Sequence, residues 1–225
     1  VGLEGADGVR QTRIFERVRA AVGRSPNSSG LGLETVGGEV DQRGFIRVDE
    51  FQRTSVDSIY AIGDVVGEPM LAHKATHEGR TAAEVIAGRR AAFEPAAVPA
   101  VVFTDPEIAW AGLTESEAKK RKIDHVVSRF PWGASGRAAT LGRSEGLTKL
   151  VVDPRTERIL GVGIAGAGAG ELIAEGVLAI EMGANATDVG LSIHPHPTLS
   201  ETIMEAAEGL GGTATSYLQL KRKPK

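Results

Sequence analysis

The sequence predicts an α/β architecture over its first half. Over its second half it predicts an α+β unit of antiparallel strands and helices. Three observations carry this reading. An apolar run ending in Gly63-Asp64 is followed after Pro69 by a long helical stretch, the grammar of an α/β unit. Composition then shifts at Phe93–Pro99, where Pro and Ala dominate, which sets a domain boundary. Beyond it, Asp153-Pro154-Arg155-Thr156 joins two apolar runs through a tight turn, and strands joined that way are antiparallel.

Each element follows in order. Val1–Leu3 and Val9–Ile14 flank the turn Ala6-Asp7-Gly8 and read as a hairpin, and Val18–Val22 reads as one more strand. Phe45–Val48 and Ile59–Ile62 are short β-type runs. A helix runs from Met70 to about Ala87, with Leu71, Ala75, Ala82, Val85 and Ile86 as core positions and Gly88 as its stop. In the second half, Val101–Phe103, Ile108–Leu113, Val126–Phe130, Thr148–Val152 and Ile159–Ile164 read as strands. Thr114-Glu115-Ser116-Glu117 is a capping box opening a helix to about Lys122. Glu171–Met182 is helical, with Leu172, Ile173, Val177 and Ile180 on one face, and Thr198–Glu208 forms a final helix. The end of the chain is Gly/Thr/Ser-rich, then basic over Lys221–Lys225.

Composition excludes several classes. The chain has 225 residues, 41% hydrophobic and 24% charged, an ordinary globular balance. It has no cysteine, so neither a disulfide nor a thiolate nucleophile can come from it. A net charge of −3 argues against a nucleic-acid partner. The longest apolar run, Ala96–Phe103, contains Pro99 and falls far short of the roughly 20 residues that cross a bilayer. Because the chain opens on Val1 and first shows methionine at Met70, it is expected to be a piece of a larger protein, or else a cleaved or processed product.

Two constellations carry chemistry. In the first, an apolar strand delivers Asp64 at its carboxyl end, where ligands of open α/β sheets sit. The helix after Met70-Leu71-Ala72-His73 then offers free N–H groups and a positive end to a phosphate or an electron-rich ring. A strand, a turn and a capped helix without any ligand remain the plainer alternative. The second is His194-Pro195-His196-Pro197-Thr198-Leu199-Ser200-Glu201. Here His196 is a candidate general base, with Glu201 fixing its tautomer, and His196-Pro197 is a candidate cis bond. The alternatives are a rigid surface turn and a Thr198–Glu201 capping box. His-x-His and the helical pair His73/His77 each lack a third ligand, so no metal is assigned. A third motif, Gly161-Val162-Gly163-Ile164-Ala165-Gly166, matches a dinucleotide fingerprint. Its strand is already paired in a hairpin, so these glycines read as close packing.

In their order, Val22-Gly23-Arg24-Ser25-Pro26-Asn27, Tyr60-Ala61-Ile62-Gly63-Asp64, Met70-Leu71-Ala72-His73-Lys74 and His196-Pro197-Thr198-Leu199-Ser200-Glu201 resemble a known family. It is the C-terminal half of the dihydrolipoamide dehydrogenases, flavoproteins of the pyridine nucleotide-disulfide reductase group. Pro106-Glu107-Ile108-Ala109-Trp110 and Gly168-Ala169-Gly170-Glu171 also fit its interface domain. The resemblance spans essentially the whole chain. It implies partial doubly wound dinucleotide-binding portions followed by an α+β interface, or dimerisation, domain. The implied divisions are 1–28 (end of an NAD-binding domain), 29–97 (return segment of an FAD domain) and 98–225 (interface domain). Asp64 would bond the FAD ribitol, Met70, Leu71, Ala72 and His73 would set a helix end against the flavin, and Gly23 would approach NAD. His196 would deprotonate a dihydrolipoyl thiol, oriented by Glu201, from a homodimer in which it reaches the other subunit's site. Lipoyl domains of 2-oxo acid dehydrogenase complexes would be the partners, in the cytoplasm or the mitochondrial matrix, with no membrane and no nucleic acid.

The FAD fingerprint, the redox cysteine pair and the NAD-binding glycine unit of that family are not in these residues, so the chain alone is expected to be inactive and to hold FAD poorly. Rival readings are another disulfide reductase, glutathione-reductase-like, and a non-catalytic dimerisation module. Glutathione and trypanothione reductases share the His-Pro-Thr core but look different after the flavin Asp, and mercuric reductases lack the histidine.

Overall fold

A computed structural model describes residues 1–217. The chain folds as two compact units, Val1–Ala92 and from Phe93 onward. The basic run Lys221–Lys225 lies outside the described residues.

In the first unit, β1 (Gly2–Glu4) and β2 (Arg10–Thr12) form the expected antiparallel hairpin. Its turn holds Gly8 at φ 76, and the Asp7 carboxylate accepts from the Val9 N–H at 3.1 Å. Val18–Val22 is not a strand: no ladder partner lies beside it among the described residues, and Val18 and Val22 are exposed. A lone extended segment leaves its backbone groups unpaired, so nothing fixes it as a strand. Phe45–Val48 and Ile59–Ile62 also fall short of strands, forming only the single bridges Val40–Ile46 and Arg53–Tyr60. Aspartates explain this. Asp41 Oδ1 accepts from the N–H groups of Arg43 and Phe45, and Asp49 Oδ1 from those of Phe51 and Arg53. These side-chain turns occupy donors that a ladder would use. A small core of Leu33, Ile46 and Ala61 holds the segment together.

Helix α1 (Ala72–Ile86) ends before Gly88 at φ 75, as expected. Its inner face differs from the expected one. Ala82 is buried, Leu71, Ala75 and Val85 are half-buried, and Ile86 is exposed. Lys74, Glu78 and Thr81 take the buried positions instead.

The second unit is a five-stranded antiparallel sheet in the order β3-β4-β7-β6-β5. Its strands are β3 (Ala100–Val102), β4 (Glu107–Gly112), β5 (Val126–Pro131), β6 (Leu147–Val152) and β7 (Ile159–Gly166). Alternation is visible in β4, where Ala109 and Ala111 are buried while Ile108 and Trp110 face outward. Helix α2 (Glu115–Arg121) carries the full Thr114–Glu117 capping box and ends at Lys122 in the left-handed region. Helices α3 (Gly136–Thr140), α4 (Ala169–Glu181), α5 (Ala186–Leu191) and α6 (Glu201–Gly211) complete the unit. α4 lies on β4 and β7, α6 lies on β5 and β6, and α5 packs on α6. The core between sheet and helices includes Phe130, Trp132, Leu150, Ile164, Ile173, Ile180 and Ile203.

Two short helices, α3 and α5, escaped the sequence reading. α5 has a signal after all, an Asn185–Asp188 capping box. The glycine-rich motif lies on β7 between antiparallel neighbours, not in a parallel unit. A side chain at Gly161 would meet the Leu113 carbonyl, and one at Gly166 would meet Trp132. These glycines serve packing.

Candidate functional site

The loop between α5 and α6 presents the clearest chemistry. His196 stands exposed, its side chain 76% accessible, and its Nδ1 lies 2.8 Å from Glu201 Oε1. The other carboxylate oxygen, Glu201 Oε2, accepts from the Thr198 N–H at 2.7 Å. Both readings of Glu201 thus meet in one side chain, since it orients a ring and closes half of the predicted box. The reciprocal half is missing: Thr198 Oγ1 donates to the Pro195 carbonyl, and α6 begins at Glu201 rather than Thr198. His196-Pro197 is cis. Burial raises the tendency of Glu201 to hold a proton, but the Thr198 N–H and the two nearby histidines outweigh it, and its pKa lies below the ordinary carboxylate value. An ionised Glu201 accepts Nδ1–H, so the neutral ring keeps the lone pair of Nε2 for solvent or substrate. That is the arrangement of a general base with its orienter.

The support beneath it is a buried hydrogen-bond chain. Trp132 Nε1 donates to Thr148 Oγ1 at 2.9 Å, Thr148 Oγ1 to Thr202 Oγ1 at 2.8 Å, and Thr202 Oγ1 to the Leu199 carbonyl at 2.7 Å. The first turn of α6 is therefore tied to β6, one residue beyond Glu201.

The first unit carries the other predicted residues. Asp64 sits in a 3₁₀ turn, Gly63–Val65, and its Oδ2 accepts from Arg24 Nη1 at 2.9 Å. Gly23, beside that arginine, has φ 119, a backbone that side chains rarely adopt. Met70 and Leu71 lead into α1, with Leu71 as N-cap, and Ala72 and His73 form its first turn. No side chain caps this helix end, and its first turn holds no acidic residue. What sequence reading missed is the clamp below. Glu78 Oε2 accepts from the Gly63 N–H at 2.7 Å, and its Oε1 pairs with Lys74 Nζ at 2.5 Å, both side chains buried. Their i,i+4 spacing is the only trace of it in the sequence.

Two family models match. One, described as a pyridine nucleotide-disulphide oxidoreductase, covers residues 4–79; the other, the dimerisation domain of the same oxidoreductases, covers residues 98–207. The chain belongs to the pyridine nucleotide-disulphide oxidoreductases. Among curated relatives, the dihydrolipoyl dehydrogenase of Vibrio cholerae is 49% identical over all of this chain and 47% of its own length. That of Thermus scotoductus is 55% identical over 96% of this chain and 47% of its own length. Among solved structures, LpdA from Mycobacterium tuberculosis superposes with a TM-score of 0.79 at 29% identity, covering 93% of this chain and 45% of that one. The HOCl-induced flavoprotein disulfide reductase RclA from Escherichia coli superposes with a TM-score of 0.76 at 28% identity, over 84% of this chain and 44% of that one. The chain spans about half the length of the curated relatives it matches.

The two constellations offer different chemistry. The uncapped positive end of α1 and the Asp64 carboxylate suit a ligand that carries both negative charge and hydroxyl groups, so the donor set fits a dinucleotide cofactor. The His196–Glu201 pair suits proton transfer. Among the described residues no three His, Asp or Glu side chains gather as a metal site. No described helix is long and apolar enough to cross a membrane.

Proposed function

We propose that this chain is the half of a dihydrolipoyl dehydrogenase that brings the acid/base pair and the dimer contact. In the whole protein the reaction would oxidise protein-bound dihydrolipoamide to lipoamide with NAD. The observation that carries the reading is the exposed His196 ring with Nδ1 held at 2.8 Å by a carboxylate that is itself fixed by a backbone N–H. Identity near 50% to dihydrolipoyl dehydrogenases over the whole chain supports it.

The roles divide as follows. His196 Nε2 takes a proton from a dihydrolipoyl thiol, which turns the thiol into the nucleophilic thiolate. Glu201 holds the ring in the Nδ1–H tautomer and balances the imidazolium that forms. Asp64 would accept from the ribitol hydroxyls of FAD, and Met70, Leu71, Ala72 and His73 would bring the α1 end toward it. Gly23 would let the backbone come close to NAD. FAD, when bound, supplies the two-electron relay between a redox disulfide and NAD. In the working unit, a homodimer, His196 would serve the partner's site. The divisions 1–28, 29–97 and 98–225 would be the end of the NAD domain, the return segment of the FAD domain and the interface domain. The chain's working place would be the cytoplasm, with lipoyl domains as its partners.

The test is His196→Gln in the whole protein. Turnover with dihydrolipoamide should fall by about 10²–10⁴-fold, while flavin content stays near that of the parent. Near-parental turnover would overturn the assignment.

A further inference from the structure

A second histidine–carboxylate pair stands behind the first. His194 Nε2 lies 2.7 Å from Glu175 Oε1 on α4, and His194 Nδ1 lies 2.7 Å from the Ser192 carbonyl oxygen. A carbonyl oxygen only accepts, and so does an ionised carboxylate. A neutral imidazole has one N–H and would leave one of these short contacts without a proton. The imidazolium satisfies both.

The position of the ring matters as much as its charge. From Leu191 to Pro197 every residue is exposed except His194, whose side chain is only 9% accessible. The neighbouring Ile193 is 98% exposed. His194 is therefore the one side chain that sinks from this stretch into the unit, two residues before His196. At the other end the stretch is fastened by Glu201 to both His196 and the Thr198 N–H. The charged groups around His194 are Glu175 from α4, Glu201 and Glu208 from α6, with Glu205 beside Glu208. All are carboxylates.

We propose that His194 is held as a cation by Glu175 and acts as a positioning residue, pinning the loop that presents His196 and steadying the ionised state of Glu201. This rests on the base-and-orienter reading above and deepens it. Burial by itself disfavours a charged ring, yet Glu175, the Ser192 carbonyl and Glu201 outweigh it, and the His194 pKa lies above the ordinary histidine value. The anchor is therefore complete at low pH and fades as pH rises through that raised value.

The experiment compares His194→Gln, Glu175→Gln and the double variant in the whole, flavin-loaded protein, with His196→Gln alongside. Turnover with dihydrolipoamide and flavin content are measured from about pH 6 to 9, a range that brackets ordinary histidine titration. Each single variant should lower turnover about tenfold at the acid end with flavin content unchanged. The double variant should do no worse, because one contact is removed either way. The deficit should shrink toward the alkaline end, where the parent has itself lost the charge. Where His194→Gln fails to fold, Glu175→Gln carries the same test, since Glu175 is a partly exposed helix residue. If His196→Gln is slow while both anchor variants match the parent, the anchor is refuted and the base stands. A deficit equal at every pH also refutes it, by showing packing rather than charge. If His196→Gln itself turns over normally, the underlying reading has failed instead.

Discussion

At the scale of single residues, Glu201 and His196 can be separated. Glu201→Gln keeps a hydrogen-bonding group beside Nδ1 and leaves the base in place, so its loss of turnover should be smaller than that of His196→Gln. Glu201 has a lowered pKa in the fold, so its stabilising contribution is present above the ordinary carboxylate value and is lost as pH falls through the lowered one. Thermal unfolding of Glu201→Gln should therefore differ most from the parent near neutrality and converge in acid. A larger kinetic loss for Glu201→Gln at equal stability would leave only the helix-end role. The glycine motif offers a second residue-scale test. A methyl group on Gly161 would lie 2.0 Å from the Leu113 carbonyl oxygen, which is backbone and cannot step aside, whereas one on Gly163 meets nothing. Gly161→Ala should cost about 3 kcal/mol in denaturant unfolding, in the upper part of the usual range for point changes. Gly163→Ala should cost far less; equal costs would contradict the packing role.

At the scale of elements, α2 shows how far local signals reach. Thr114→Ala removes the acceptor of the capping box and should cost about 1 kcal/mol. Glu115 then ties the helix to the sheet: Lys119, Lys149 and Arg129 all bond its carboxylate, and hydrogen bonds from Lys119 and Lys149 hold its pKa down to about 2. The advantage of the parent over Glu115→Gln should be complete above about pH 4.5 and vanish as pH falls toward 2, as followed by acid unfolding. An unchanged gap at low pH would remove the ion cluster from the explanation. The capping box and the β6–β7 hairpin were legible because each depends on neighbours in sequence, and the five strands because each is a short β-type run whose partners, β7 for β4 among them, lie elsewhere in the chain. Val18–Val22 and Phe45–Val48 were not: a strand needs a partner, and aspartate turns compete for the same donors. Likewise His196 and Glu201 could be paired from their spacing, while His194 and Glu175 could not, because 19 residues and a change of element separate them.

At the scale of the whole molecule, the second unit carries the features that bear on assembly. Residues 98–207 match a dimerisation domain, and the unit leaves Leu178, Met182, Leu191 and Ile193 exposed at 62%, 76%, 77% and 98%. Large apolar side chains left this open in solution commonly mark a surface that associates. The chain should therefore sediment as a dimer at micromolar concentration, through residues from about Val98 onward. Ile193→Glu should shift it toward monomer, because burying an unpaired carboxylate opposes association. Flavin behaves differently. On the proposed reading Asp64 and the α1 end would offer one wall of a dinucleotide site, while the Gly161–Gly166 match is consumed by the sheet. Without a glycine-rich loop to cradle the pyrophosphate, the 225-residue chain should purify without stoichiometric flavin. The two expectations part company in a single experiment: absorbance-detected sedimentation of the chain mixed with FAD. A dimer boundary without flavin absorbance is the expected result. A monomer boundary would sink the role of the second unit, and a dimer boundary carrying one flavin per chain would show that the first unit closes a site around FAD with its own residues.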